Sequence, residues 1–228
     1  MSVSRRAAIL RRALLAVCIG LGSGPLALAQ TPHVSMLFGA ASRGDTSALA
    51  RLIAAGAPLD AADSQGRTPL LMAVANDRAD AAIQLIAAGA SINAQAANQD
   101  TPWLLAGALG RADILRAMIP KGPDFTIRNR YGGNALIPAC ERAHVEAVKV
   151  LLTTKIDVNH INNLGWTCLL EIVVLGDGGP RHAEVTKLVL DAGADPNIAD
   201  KDGVTPLMHA QRKDQRAVAS LIEAAGGR

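Results

Sequence analysis

Catalysis and metal binding need particular side chains at particular spacings, and few are on offer in these 228 residues. The histidines are His33, His144, His160, His182 and His209. None forms a His-x-x-x-His pair and none sits beside a spaced cysteine, so zinc ligation has no framework. They read as solvated or helix-surface groups. No Gly-x-Ser-x-Gly motif supplies a hydroxyl nucleophile. The run from Asp195 to Gly203 is oxygen-rich, like a calcium loop. Placing Gly203 at the loop's obligatory glycine puts Ile198 at the first ligand position, and the distant Glu is missing. We therefore expect no catalytic residue, no cofactor and no metal.

Charge is the next constraint. Lys and Arg number 23, Asp and Glu 20, a formal charge of +3. Arg5, Arg6, Arg11 and Arg12 crowd the start, an apolar run follows from Ala13 to Leu28, and no acid precedes Asp45. The run closes on Ala27-Leu28-Ala29, a small-residue cleavage site, so residues 1–29 read as a cleaved signal peptide. A retained membrane anchor fits less well, because a span needs about 20 apolar residues and this run carries Gly20, Gly22, Gly24 and Pro25. Sec and twin-arginine routes both stay open: Ser4-Arg5-Arg6 suits the latter, Ala8 does not. Cleavage removes four Arg and leaves a charge of −1. That takes away the electrostatic basis for general nucleic-acid or membrane-surface binding. The expected location is periplasmic or secreted, in a bacterium.

The remaining chain repeats at 33 residues. Thr68-Pro69-Leu70 returns as Thr101-Pro102-Trp103, Asn134-Ala135-Leu136 and Thr167-Cys168-Leu169, then after 38 residues as Thr205-Pro206-Leu207. Gly56-Ala57, Gly89-Ala90, Gly122-Pro123 and Gly193-Ala194 keep step, as do Asp60, Asn93, Asn159 and Asn197. Units are expected near 30–62, 63–95, 96–128, 129–161, 162–199 and 200–228, the fifth with five inserted residues at Gly176–Pro180. Thr-Pro starts a helix, with the hydroxyl as cap and Pro at the first position. Gly44, Gly110 and Gly176 mark the turn to a second helix; Asp77, Asp214 and a strained Ala143 stand in that place elsewhere. Thr126 for Asn, and Lys155-Ile156 for Gly-Ala, predict looser geometry in units three and four. Arg212, Lys213, Asp214, Gln215 and Arg216 predict a polar closing cap.

These landmarks resemble the ankyrin repeat family over essentially the whole mature chain. The resemblance implies an all-α ankyrin-repeat solenoid of about six helix-turn-helix units with hairpin-loop fingers. One such unit cannot bury its apolar face alone, and stacking makes the core continuous. It also implies binding to another protein through fingertips and the inner face of the first helices. Carried over, units four and five offer Arg130, Tyr131, Glu141, Arg142, Leu164, Trp166 and Leu175, with Arg128 nearby. Two of only five aromatic residues, Tyr131 and Trp166, fall at adjacent fingertips, and Tyr, Trp and Arg dominate interface hot spots. Folding of Trp166 onto the neighbouring finger is equally open. Trp103 replaces a core Leu and reads as packing. The expected function is an exported protein-binding module, with a protective or chaperone-like role towards an exported enzyme as alternative and enzymatic activity last. The module is expected to be monomeric. Cys140 and Cys168 lie on neighbouring first helices at different repeat positions. Two separate thiols are favoured, although an oxidising compartment permits a bridge.

Overall fold

The structure is a computed structural model that describes the backbone of residues 24–228 and the side chains from His33 onward. Residues 1–23, with Cys18 and most of the expected leader, lie outside the described residues. Among the described residues every regular element is helical: six antiparallel pairs of α-helices and one short 3-10 turn, Ile119–Lys121. The pairs are α1 (Gly24–Arg43) with α2 (Thr46–Ala54), α3 (Pro69–Ala75) with α4 (Ala79–Ala87), and α5 (Pro102–Ala108) with α6 (Ala112–Met118). Then come α7 (Leu136–Glu141) with α8 (Val145–Leu152), α9 (Cys168–Leu175) with α10 (Pro180–Asp191), and α11 (Pro206–Arg212) with α12 (Arg216–Ala224). The first helix of each pair packs on its counterparts in the adjacent units, and the second helices stack likewise. A single apolar core runs through the stack from Leu37 to Ile222.

Capping explains where the first helices begin. The hydroxyls of Thr68, Thr101, Thr167 and Thr205 accept from the backbone N–H three residues on, at 3.1 to 3.3 Å. Asn134 does the same work in unit four, accepting from Leu136 and Ile137 while donating to the Asp157 carbonyl. The inter-helix turns carry left-handed residues at Gly44, Asp77, Gly110, Ala143 and Asp214. Gly176 departs from that expectation. Its φ is −70° and its backbone extended, and the left-handed place passes to Gly178. The insertion also differs from a longer turn. Most of it lengthens α10 to 12 residues against seven to nine in the second helices of the other units, because Pro180 suits the first helical position after Gly179.

The fingers are tight turns organised by one register position. The carboxylates of Asp63 and Asp200 and the side-chain carbonyls of Asn129 and Asn162 each accept two backbone N–H groups of their own finger. The landmark Asn residues tie each unit to the next. Asn159 donates to Gly193 O at 3.1 Å and accepts from Asp195 N at 2.8 Å, and Asn93 and Asn197 repeat the pattern. Thr126 makes no such tie. It bonds Asp124 within its own loop instead.

Three further expectations are corrected. Cys140 and Cys168 are joined as a disulfide, with Cα atoms 5.6 Å apart, and not as separate thiols. Different repeat positions do not keep them apart, since packed helices are offset along their axes and bring unlike positions into reach. Gln215 is no part of the polar cap: it is buried and donates to the carbonyls of Val173 and Gly176. Nor are the histidines merely solvated. His209 binds Asp200 at 2.7 Å, His182 binds Asp177 at 2.7 Å and Glu141 O at 3.0 Å, and His160 binds Gly132 O at 2.6 Å.

Candidate binding groove

The register of the stack sets the fingers of units four and five beside α7 and α9. Between them lies a groove of about 260 Å³. Six of the eight residues singled out in the sequence line it: Arg130, Tyr131, Glu141, Arg142, Leu164 and Leu175. Arg128 does not. Its guanidinium turns back onto the carbonyls of Phe125 and Ile127. Trp166 is half-buried against the core, so the ring stabilises the stack and is not presented at the fingertip. Trp103 is buried, edge-on to Phe125 at 5.9 Å, as its place in the core predicts.

The groove walls are unusually apolar for an exposed surface. Among the described residues, seven large apolar side chains are well exposed, and three of them meet here: Tyr131 (52%), Leu164 (49%) and Leu175 (52%). Single exposed apolar residues are ordinary, whereas clustered ones mark interaction surfaces. The two rim arginines are held. Arg130 lies 4.6 Å from the centroid of the Tyr131 ring and 3.9 Å from Asp100, and Arg142 donates to Ala108 O at 2.8 Å. The disulfide joins α7 to α9, the two helices that line the groove, so their spacing is covalently fixed.

Glu171 is the one ionisable lining residue that sequence reasoning missed. It sits on α9, only 5% exposed, and its Oε1 accepts from the Asn162 side chain at 2.8 Å. Burial, and then the like charge of Glu141, push its carboxyl up to about 7; the Asn162 bond opposes them. The only signal in the sequence was a charged residue within an otherwise apolar helix, Cys-Leu-Leu-Glu-Ile-Val-Val-Leu. No cluster of His, Cys, Asp or Glu suited to a metal occurs among the described residues, and among them no helix is long and apolar enough to cross a membrane.

Known proteins place this architecture in a family. Family models described as ankyrin repeats match residues 37–86 and 103–200. The chain is 38% identical to the ankyrin repeat protein YahD of Escherichia coli K12 over 188 residues, covering 82% of this chain and 94% of that protein. It is 36% identical over 99 residues to cyclin-dependent kinase 4 inhibitor B of Bos taurus, covering 42% of this chain and 71% of the relative. A crystal structure of an ankyrin repeat domain from Acinetobacter baumannii AYE superposes with a TM-score of 0.81 at 45% identity, covering 84% of this chain and 98% of the other. Cap, turn, finger and unit-to-unit tie recur along the stack, and the chain belongs to the ankyrin repeat family.

Proposed function

We propose that this protein is exported and binds another protein through the fingers and inner helices of units four and five. Ankyrin repeats generally mediate protein–protein interaction and are typically non-enzymatic, which sets the class. The observation that carries the choice of face is the meeting of Tyr131, Leu164 and Leu175 beside two arginines on preformed backbone. Apolar and aromatic anchors ringed by polar groups are the usual energetic centre of an interface. Export is supported by the residues of the leader and by the disulfide, a bond at home in oxidising compartments. The kinase inhibitor's name describes a relative that acts on another protein, in keeping with this reading.

Cross-linking in the native envelope tests it, with the wild-type chain and Leu164→Asp as baits and the distant Lys187→Ala as control. A partner captured by the wild type and the control but lost with Leu164→Asp is expected, as is a processed chain starting at Gln30. Equal capture by all three baits overturns the face. An unprocessed chain confined to the cytoplasm overturns export.

A further inference from the structure

The groove holds two carboxylates and two guanidinium groups that do not pair with one another. Arg130 is directed to Asp100 and the Tyr131 ring, and Arg142 to the backbone of unit three. Neither Glu141 nor Glu171 has a cationic partner among the described residues. Glu171 is nine-tenths buried yet borders the groove; Asn162 donates to its Oε1, and Oε2 has no donor from the protein and keeps access to the groove. A buried carboxylate in that condition is costly unless a cation or donor reaches it. The walls above it are Tyr131, Ile137, Pro138, Leu164 and Leu175.

We propose that this groove receives one Lys or Arg side chain from the partner protein, its aliphatic stem along Leu164, Leu175 and Tyr131 and its charged head on the carboxylates of Glu171 and Glu141. The proposal rests on the protein-binding reading above and adds the chemistry of the anchor. Size agrees, because small-molecule sites run from about 300 to 1,000 Å³ and this groove, at about 260 Å³, suits a single long side chain. Charge agrees, since an inserted cation supplies the missing counter-ion. Long basic side chains suit such a site because stem and head want different surroundings. Acidic residues flanking the inserted one would meet Arg130 and Arg142 at the rim. Glu171 faces Glu141 from α7 and Asn162 from its own finger, with Arg130 and Arg142 lining the same groove. As Glu171 carries a raised carboxyl, the pocket gains negative charge as pH rises through neutrality, and cation binding strengthens in the same direction.

The test uses the whole protein and three probes, N-acetyl-lysine N-methylamide and its norleucine and glutamate counterparts, followed by NMR at the methyls of Leu164 and Leu175 and the Glu171 carboxyl. Saturable shifts with the lysine probe are expected, at least tenfold tighter than with norleucine, strengthening from pH 6 to 8. Glu171→Gln keeps an acceptor for Asn162, so the fold is preserved. It should lose about tenfold in lysine affinity together with the pH dependence. Equal binding of the lysine and norleucine probes, tighter binding of N-acetyl-glutamate N-methylamide, no saturable shift with any probe, or an unaffected Glu171→Gln variant each overturn the proposal. If the lysine probe fails while Leu164→Asp still abolishes partner capture, the anchor chemistry falls and the binding face stands. If capture is insensitive to Leu164→Asp, the face itself falls.

Discussion

Reduction of the Cys140–Cys168 bond should weaken the middle of the stack without unmaking its helices. The two residues are 28 apart in sequence, nearly one unit, and both are buried. A tether closing a loop of that length removes unfolded-chain entropy worth about 3.6 kcal/mol on the chain-entropy model. For a chain of this size each kcal/mol is about 2–4 °C in Tm, so reduction should lower Tm by about 7–14 °C. The comparison of choice is the wild-type protein with and without reductant, because both states contain the same atoms. Cys140→Ala combined with Cys168→Ala adds a packing loss that must be kept separate. Melting followed by circular dichroism gives the shift. Alkylation in denaturant without reductant counts thiols: one is expected in the full chain, from Cys18, and none after leader removal. Three alkylated cysteines in the full chain, with Tm indifferent to reductant, would refute the bond. An intact bond with no change in Tm would refute the tether argument alone.

Three other outcomes follow from particular residues. For Glu171 the folded carboxyl lies at about 7 and the ordinary value is 4.5, so the unfolded chain ionises first and stability falls as pH rises between them. The loss is up to about 3 kcal/mol, less where water reaches Oε2, and Glu171→Gln should exceed the wild type in urea stability at pH 8 but not at pH 4.5. Gln99 is exposed at φ 65° in the finger register of Gly66, Gly132, Gly165 and Gly203, so Gln99→Gly should raise stability by up to about 1 kcal/mol in urea unfolding; a loss would show that its side chain holds the finger. Asn159→Ala deletes both the bond to Gly193 O and the bond from Asp195 N, and should cost about 1–3 kcal/mol, with hydrogen exchange rising first at the junction of units four and five; uniform exchange would contradict a local tie.

Much of this architecture was available from the chain alone because its signals are local. A Thr cap needs only its own next three residues, and a left-handed turn residue such as Asp77 or Ala143 is set by backbone sterics at one position. Repetition at 33 residues then made each weak signal count several times. Six of the eight chosen surface residues came to one groove for the same reason, since repeat position dictates which face a side chain joins. The exceptions are instructive. Trp166 occupied a fingertip position, but its large apolar ring packs against the core instead of facing solvent. Gly176 matched the turn pattern, but the inserted residues moved the reversal to Gly178.

The period, the caps, the turns and the order of the units are thus properties of neighbouring residues, and the amino-acid sequence settles them unaided. Meetings across the stack are of another kind. The pairing of Cys140 with Cys168, the burial of Gln215 beneath Val173 and Gly176, and the paired carboxylates of Glu141 and Glu171 depend on how far one helix is offset and rotated against the next. That offset results from the packing of the whole core. Only the folded stack decides it, and with it the charge of the groove and the covalent link between the helices that line it.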